Sequence, residues 1–249
     1  MQADWEVEVG GQAPVIEALW PGFIDLRTHP EAVHQLPEVA SQSALGLALG
    51  RALVALNGPS SPVWTTKCDL WQLENVDPDE FDAPTSMSPV ASPVTRPVPY
   101  ARACYIDLLP LSVLLALDSA VSQPASHIPP PPGPISPDPV RQLAGDNPPT
   151  TTQTVSDCTA QSKTECWFTV DQTVLWCRSL CARLWSTPVH SCRVDLIVRQ
   201  ASLAPDRMGF AVTAYLAGCG QTMTEADHAL DAALAAFARV LSTKTPSAA

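Results

Sequence analysis

Basic residues are scarce in this chain: 14 Lys and Arg stand against 25 Asp and Glu, a formal net charge of −11 over 249 residues. That balance argues against a nucleic-acid partner, because binding a phosphate backbone rests on Lys and Arg, and it disfavours docking on anionic lipid. Long apolar runs are lacking too. The greasiest stretch, LLPLSVLLAL at 108–117, is broken by Pro110 and bounded by Asp107 and Asp118, too short to span a bilayer. The opening MQADWEVEVGG has neither the basic start nor the apolar stretch of a secretory signal. The expectation is a cytoplasmic protein with no membrane association. The charge fits a cationic partner or ligand, and a protein partner or a second copy of the chain is the expected company.

Chemical motifs are equally sparse. There is no G-x-G-x-x-G, no G-x-x-x-x-G-K-[ST] and no G-x-S-x-G, so nucleotide-binding and serine-hydrolase chemistry has no anchor. The five histidines show neither H-x-H nor H-E-x-x-H spacing. The acidic ENVDPDEFD at 74–82 lacks the glycine and final glutamate of a calcium loop and reads as a capped turn. No cofactor is called for.

Proline is abundant, and 17 of the 26 prolines fall within 77–149. Runs such as 129–132 cannot form helix or central strand. Segments 76–99 and 119–165 therefore read as proline-rich insertions within a single domain spanning 1–249. Around them the hydrophobic periodicity is clear. WEVEV at 5–9 alternates as a half-buried strand does, and so does the end of 14–27. Leu45, Leu49, Leu53 and Leu56 stripe a helix that Asn57-Gly58-Pro59 ends. Gly46 and Gly50 weaken that helix but admit a close neighbour. Strands follow at 61–73 and 100–110, and a helix near 172–186 carries Val174, Cys177, Cys181 and Leu184 on one face. A hairpin is expected from HSCRVDLIVRQ and MGFAVTAYLAGCG. A last helix begins with Thr222 and Glu225 and carries Leu230, Leu234, Phe237 and Leu241. Three ββα units in a row predict an α+β fold: a mainly antiparallel sheet of about six strands with helices on one face.

Four near-identical words, FIDL (23–26), KCDL (67–70), YIDL (105–108) and RVDL (193–196), each set an aspartate between apolar residues. If all four are strands with their apolar side on the helices, Asp25, Asp69, Asp107 and Asp195 share the other face. Glu6, Glu8, Arg199, Thr213 and Tyr215 join them there. Arg27, Lys67 and Arg193, each two residues from an aspartate, would make that face a carpet of local ion pairs. Asp107 alone has no cation nearby in sequence. Two alternatives stay open. The face is a solvated surface or binding surface, or Asp107 and Asp195, supported by Asp69, Tyr215 and Arg199, hold a ligand or a hard cation such as Mg²⁺ for hydrolysis, provided their strands are adjacent. Cys166, Cys177, Cys181 and Cys192 make a four-thiolate zinc site conceivable, but without C-x-x-C they read better as buried core thiols. The composite expectation is a non-catalytic domain for a protein partner or small ligand, with a metal-dependent hydrolase as the alternative.

Overall fold

The computed structural model describes residues 1–17, 20, 22–73, 100–111, 169–204 and 207–243. The proline-rich segments 76–99 and 119–165 lie outside them, as do Cys158 and Cys166. The elements in chain order are β1 (Gln2–Glu8), β2 (Ile16–Glu17), a 3₁₀ turn (Pro30–Gln35), α1 (Pro37–Ala40), α2 (Ala44–Leu56), β3 (Val63–Leu73), β4 (Tyr100–Pro110), α3 (Val170–Trp185), β5 (Cys192–Ala204), β6 (Arg207–Gly220) and α4 (Met223–Ser242). Among the described residues no helix is long and apolar enough to cross a membrane.

The fold is α+β, built on one six-stranded sheet of order β1-β5-β6-β4-β3. The sheet is mixed rather than purely antiparallel. β3–β4, β4–β6 and β5–β6 pair antiparallel, whereas β1 and β2 both run parallel to β5, end to end along its outer edge. The first two strands are therefore not a hairpin, and the first expected ββα unit differs from the last, in which β5, β6 and α4 follow one another directly.

The helices cover one face. Leu45, Leu49, Leu53 and Leu56 of α2, Cys177, Leu180, Cys181 and Leu184 of α3, and Leu230, Leu234, Phe237 and Leu241 of α4 meet Val194, Leu196, Val198, Val212, Ala214, Leu216, Cys104, Ile106 and Leu108 in one core. Side chains opposed across the ladder share a face, so the alternation of each strand decides which residues meet the helices. Side chains close the starts of the three longer helices; of these the sequence foretells Thr222, but Glu225 accepts the Gln221 amide instead of completing the expected capping box with Thr222. Ser43, Thr169 and Thr222 each accept a backbone amide from three residues on, and Thr169 forms a full capping box with Gln172. Gly46 gives α1 its close approach: a Cβ there would run into the carbonyl of Glu38.

Two local readings are corrected. FIDL is not a strand. It belongs to a stretch that passes from one side of the sheet to the other, so Phe23 packs with Trp64 and Leu109 on the far face while Ile24 and Leu26 join the helix-side core. Its alternation reflects two apolar environments, not a pleat. In KCDL, a bulge between Thr65 and Cys68 sets both Thr66 and Lys67 opposite Asp107. Lys67 does not answer Asp69. It reaches Glu17 at 3.5 Å and lies over the Trp20 ring at 5.3 Å, while exposed Asp69 accepts the Leu70 amide at 2.7 Å.

Candidate functional site on the sheet face

The face away from the helices is organised in rows set by the strand register. One row reads Asp107–Thr213–Ile197–Glu6, the next Asp69–Tyr105–Tyr215–Asp195–Asp4, and the third Trp71–Ala103–Ala217–Arg193. At the end of the sheet beyond the first row, Ile16, Phe23, Trp64, Leu109, Leu111, Ala201 and Ala211 make a second, smaller core. Trp20 stands edge-on to Phe23, Phe23 to Trp64, and Arg27 lies 5.0 Å over the Trp64 ring.

Between this core and the other rows lies a polar chain. Arg199 donates twice to Glu8 Oε2, from Nε at 2.9 Å and Nη2 at 2.6 Å. Its Nη1 donates to Thr213 Oγ1 at 3.2 Å and to the Tyr215 hydroxyl at 3.3 Å. The single Thr213 hydroxyl proton is then directed to Asp107 Oδ1, 2.6 Å away. Asp107 thus does have a cation, supplied across the sheet by Arg199 through a threonine. Burial raises the Asp107 pKa, and the Thr213 hydrogen bond and the Arg199 and Lys67 charges only partly oppose it. Tyr105 is raised as well, by burial and then by Asp107 and Asp69. Asp25 goes the other way. Burial pushes it up, but the two hydrogen bonds and the charge of Arg27, at 2.8 and 2.7 Å, hold it below the ordinary value.

A raised carboxylate pKa has a defined consequence. The folded state binds the Asp107 proton more tightly than the unfolded chain does, so this group's contribution to stability is lost as pH rises through its folded pKa and fully regained only below the unfolded value. The isosteric, uncharged Asp107→Asn should therefore match or exceed the parent in stability at pH 7. Its advantage should shrink as the pH falls towards the ordinary carboxylate range. Urea unfolding of both proteins at a series of pH values checks this, and an advantage that widens on acidification would refute it.

The third row forms a concavity of about 530 Å³. Its floor is Ala103 and Ala217, side by side on β4 and β6 and too small to fill the space between their neighbours. Trp71 and Leu73 line one side, and Arg193, Asp195, Asp4 and Glu6 the other. Trp71, Tyr105 and Tyr215 form a triangle with centroids 6.1 to 6.3 Å apart, Trp71 standing at 83° to Tyr215. Arg193 Nε meets both oxygens of Asp195 at 2.8 Å. Burial raises the Asp195 pKa, Arg193 lowers it, and Asp4 and Glu6 raise it further by repulsion.

Of the residues singled out in the sequence, the fold gathers Asp107, Arg199 and Tyr215 into the polar chain and places Asp195 at the concavity. Asp69 stays exposed on β3. Asp107 and Asp195 are not on adjacent strands, because β6 runs between β4 and β5. With two strand spacings across and two residues along, their Cα atoms are roughly 12 Å apart, too far to share one cation. Among the described residues no three His, Cys, Asp or Glu are grouped to hold a metal ion. Cys177, Cys181 and Cys192 are buried, with burial pushing their thiols up to about 12, 11 and 11, so they are protonated and unreactive at neutral pH. Sequence reasoning missed Trp71, Ala103 and Ala217, whose shared row exists only once the register is known. No protein-family model, curated protein or solved structure matches the chain.

Proposed function

We propose that the chain is a non-catalytic binding domain whose contact surface is the concavity on the sheet face, and that it works in the cytoplasm with a small ligand or a protein partner. The observation that carries this reading is the alanine floor between an aromatic wall and a carboxylate wall. Sites that take organic ligands are concave, largely apolar and provided with a few placed polar groups. The surrounding polar groups are tied to one another: Arg199 to Glu8, Thr213 and Tyr215, and Arg193 to Asp195. They shape a surface, and the hydroxyl that does lie beside a carboxylate, Thr213 against Asp107, is buried and also accepts from Arg199. A hydrolase built on Asp107 and Asp195 with Asp69 has less support, since each already serves another contact and the first two are separated by a strand.

The concavity can be filled from its floor. Ala217 is half-buried on the sheet face, so Ala217→Phe should put a ring into the space while the helix-side core is untouched. In ligand-observed NMR with a fragment library, fragments that bind the parent are expected to lose binding to this variant at unchanged thermal stability. Fragments that all bind both proteins alike would place the binding surface elsewhere.

A further inference from the structure

Resting on that binding reading, we infer that the ligand of the concavity is an organic cation, an ammonium or guanidinium group on a flat apolar body, seated between the Trp71–Tyr215 corner and the carboxylates of Asp4, Glu6 and Asp195. Three carboxylates and one guanidinium line the space. That guanidinium already spans both oxygens of Asp195. Asp4 and Glu6 are exposed, and among the described residues neither forms a salt bridge. Asp195, raised chiefly by burial, is raised further by repulsion from Asp4 and Glu6, the same excess of negative charge seen from the inside. A bound cation would relieve it.

The opposite wall is suited to the same guest. Trp71 and Tyr215 stand nearly perpendicular with centroids 6.3 Å apart, and Tyr105 closes the triangle at 6.1 Å from Tyr215. A cation within about 6 Å of such ring faces is attracted by their quadrupoles, most strongly by tryptophan. The alanine floor leaves room for an apolar body below the charge, while an anion would meet Asp4 and Glu6. Two sources present this chemistry: a free organic amine, and a Lys or Arg side chain of another protein.

The test uses three near-isosteres on the full chain: 2-phenylethylamine, 2-phenylethanol and phenylacetate, titrated by calorimetry and by Trp fluorescence with Trp71→Phe as control. The amine should bind about tenfold or more tighter than the alcohol, and phenylacetate not at all. The Asp4→Asn/Glu6→Gln double variant should lose about tenfold in amine affinity at unchanged thermal stability, and added salt should weaken the parent's binding. End-blocked Ala-Lys-Ala and Ala-Arg-Ala peptides separate the sources. Tighter binding of a peptide than of the free amine assigns a protein partner, and the reverse assigns a small molecule. Equal binding of amine and alcohol, abolished by Ala217→Phe, overturns the cation inference and leaves the binding domain standing. Failure of all probes, when fragments sensitive to Ala217→Phe are found, overturns it likewise. With no sensitive fragment at all, both readings fall.

Discussion

Gly218→Ala is expected to destabilise the protein by about 3 kcal/mol, at the upper end of the range for overpacking. Gly218 sits on β6, directly beneath the start of α4. A Cβ there would lie 2.8 Å from the carbonyl carbon of Ala229 and 2.9 Å from the carbonyl oxygen of Ala226, and hard against the Leu230 amide. These are backbone atoms, so no rotamer change relieves the overlap and α4 must lift. Leu230, Leu234 and Phe237, all fully buried, would lift with it. For a domain of this size the melting temperature should fall by roughly 6–12 °C, read by circular dichroism. A shift of about a degree would mean that α4 does not rest on β6 as described.

Arg199→Met should cost about 2 kcal/mol at pH 7. The methionine keeps the stem and removes the guanidinium, with its four hydrogen bonds to Glu8, Thr213 and Tyr215. Glu8 is 42% exposed and returns to water cheaply, whereas Asp107, only 6% exposed, keeps its hydroxyl partner but loses the larger of the two positive charges that act on it. Most of the loss therefore falls on the buried end of the chain. Asp107→Asn should gain about 1 kcal/mol more stability in this variant than it gains in the parent, because an uncharged amide no longer needs the cation. An equal effect of Asp107→Asn in the parent and in Arg199→Met would show that Arg199 and Asp107 are not coupled through Thr213.

The elements were legible where burial is one-sided. The leucine stripes of α2 and α4 fix the helix faces, and alternation alone puts Asp107, Asp195, Thr213, Tyr215 and Arg199 on one side of the sheet. Strand order was not legible, because β5 and β6 alternate identically whichever neighbours they pair with. That missing fact separates Asp107 from Asp195 and brings Arg199 to Asp107. FIDL misled because Phe23 and its neighbours Ile24 and Leu26 are buried against opposite sides of the sheet end, which imitates a pleat. Bidentate Arg27 and the His29 amide bonded to the Asp25 carbonyl hold a turn there instead. The concavity was invisible for a related reason: an alanine in a strand signals nothing until register shows that another alanine lies beside it.

The parallel pairing of β1 with β5 also sets the order in which the chain can assemble. Gln2 meets Arg193, so β1 must wait for β5, about 190 residues later, to emerge. β4 likewise waits for β6, while β5, β6 and α4 are neighbours in sequence and can form as a local unit. Long-range pairings of this kind slow folding, since the chain loses loop entropy before contacts compensate it. During synthesis β1 and β4 therefore carry unpaired strand edges until the β5–β6 hairpin emerges to receive them, and unpaired edges of this kind are what make partly folded chains prone to aggregate.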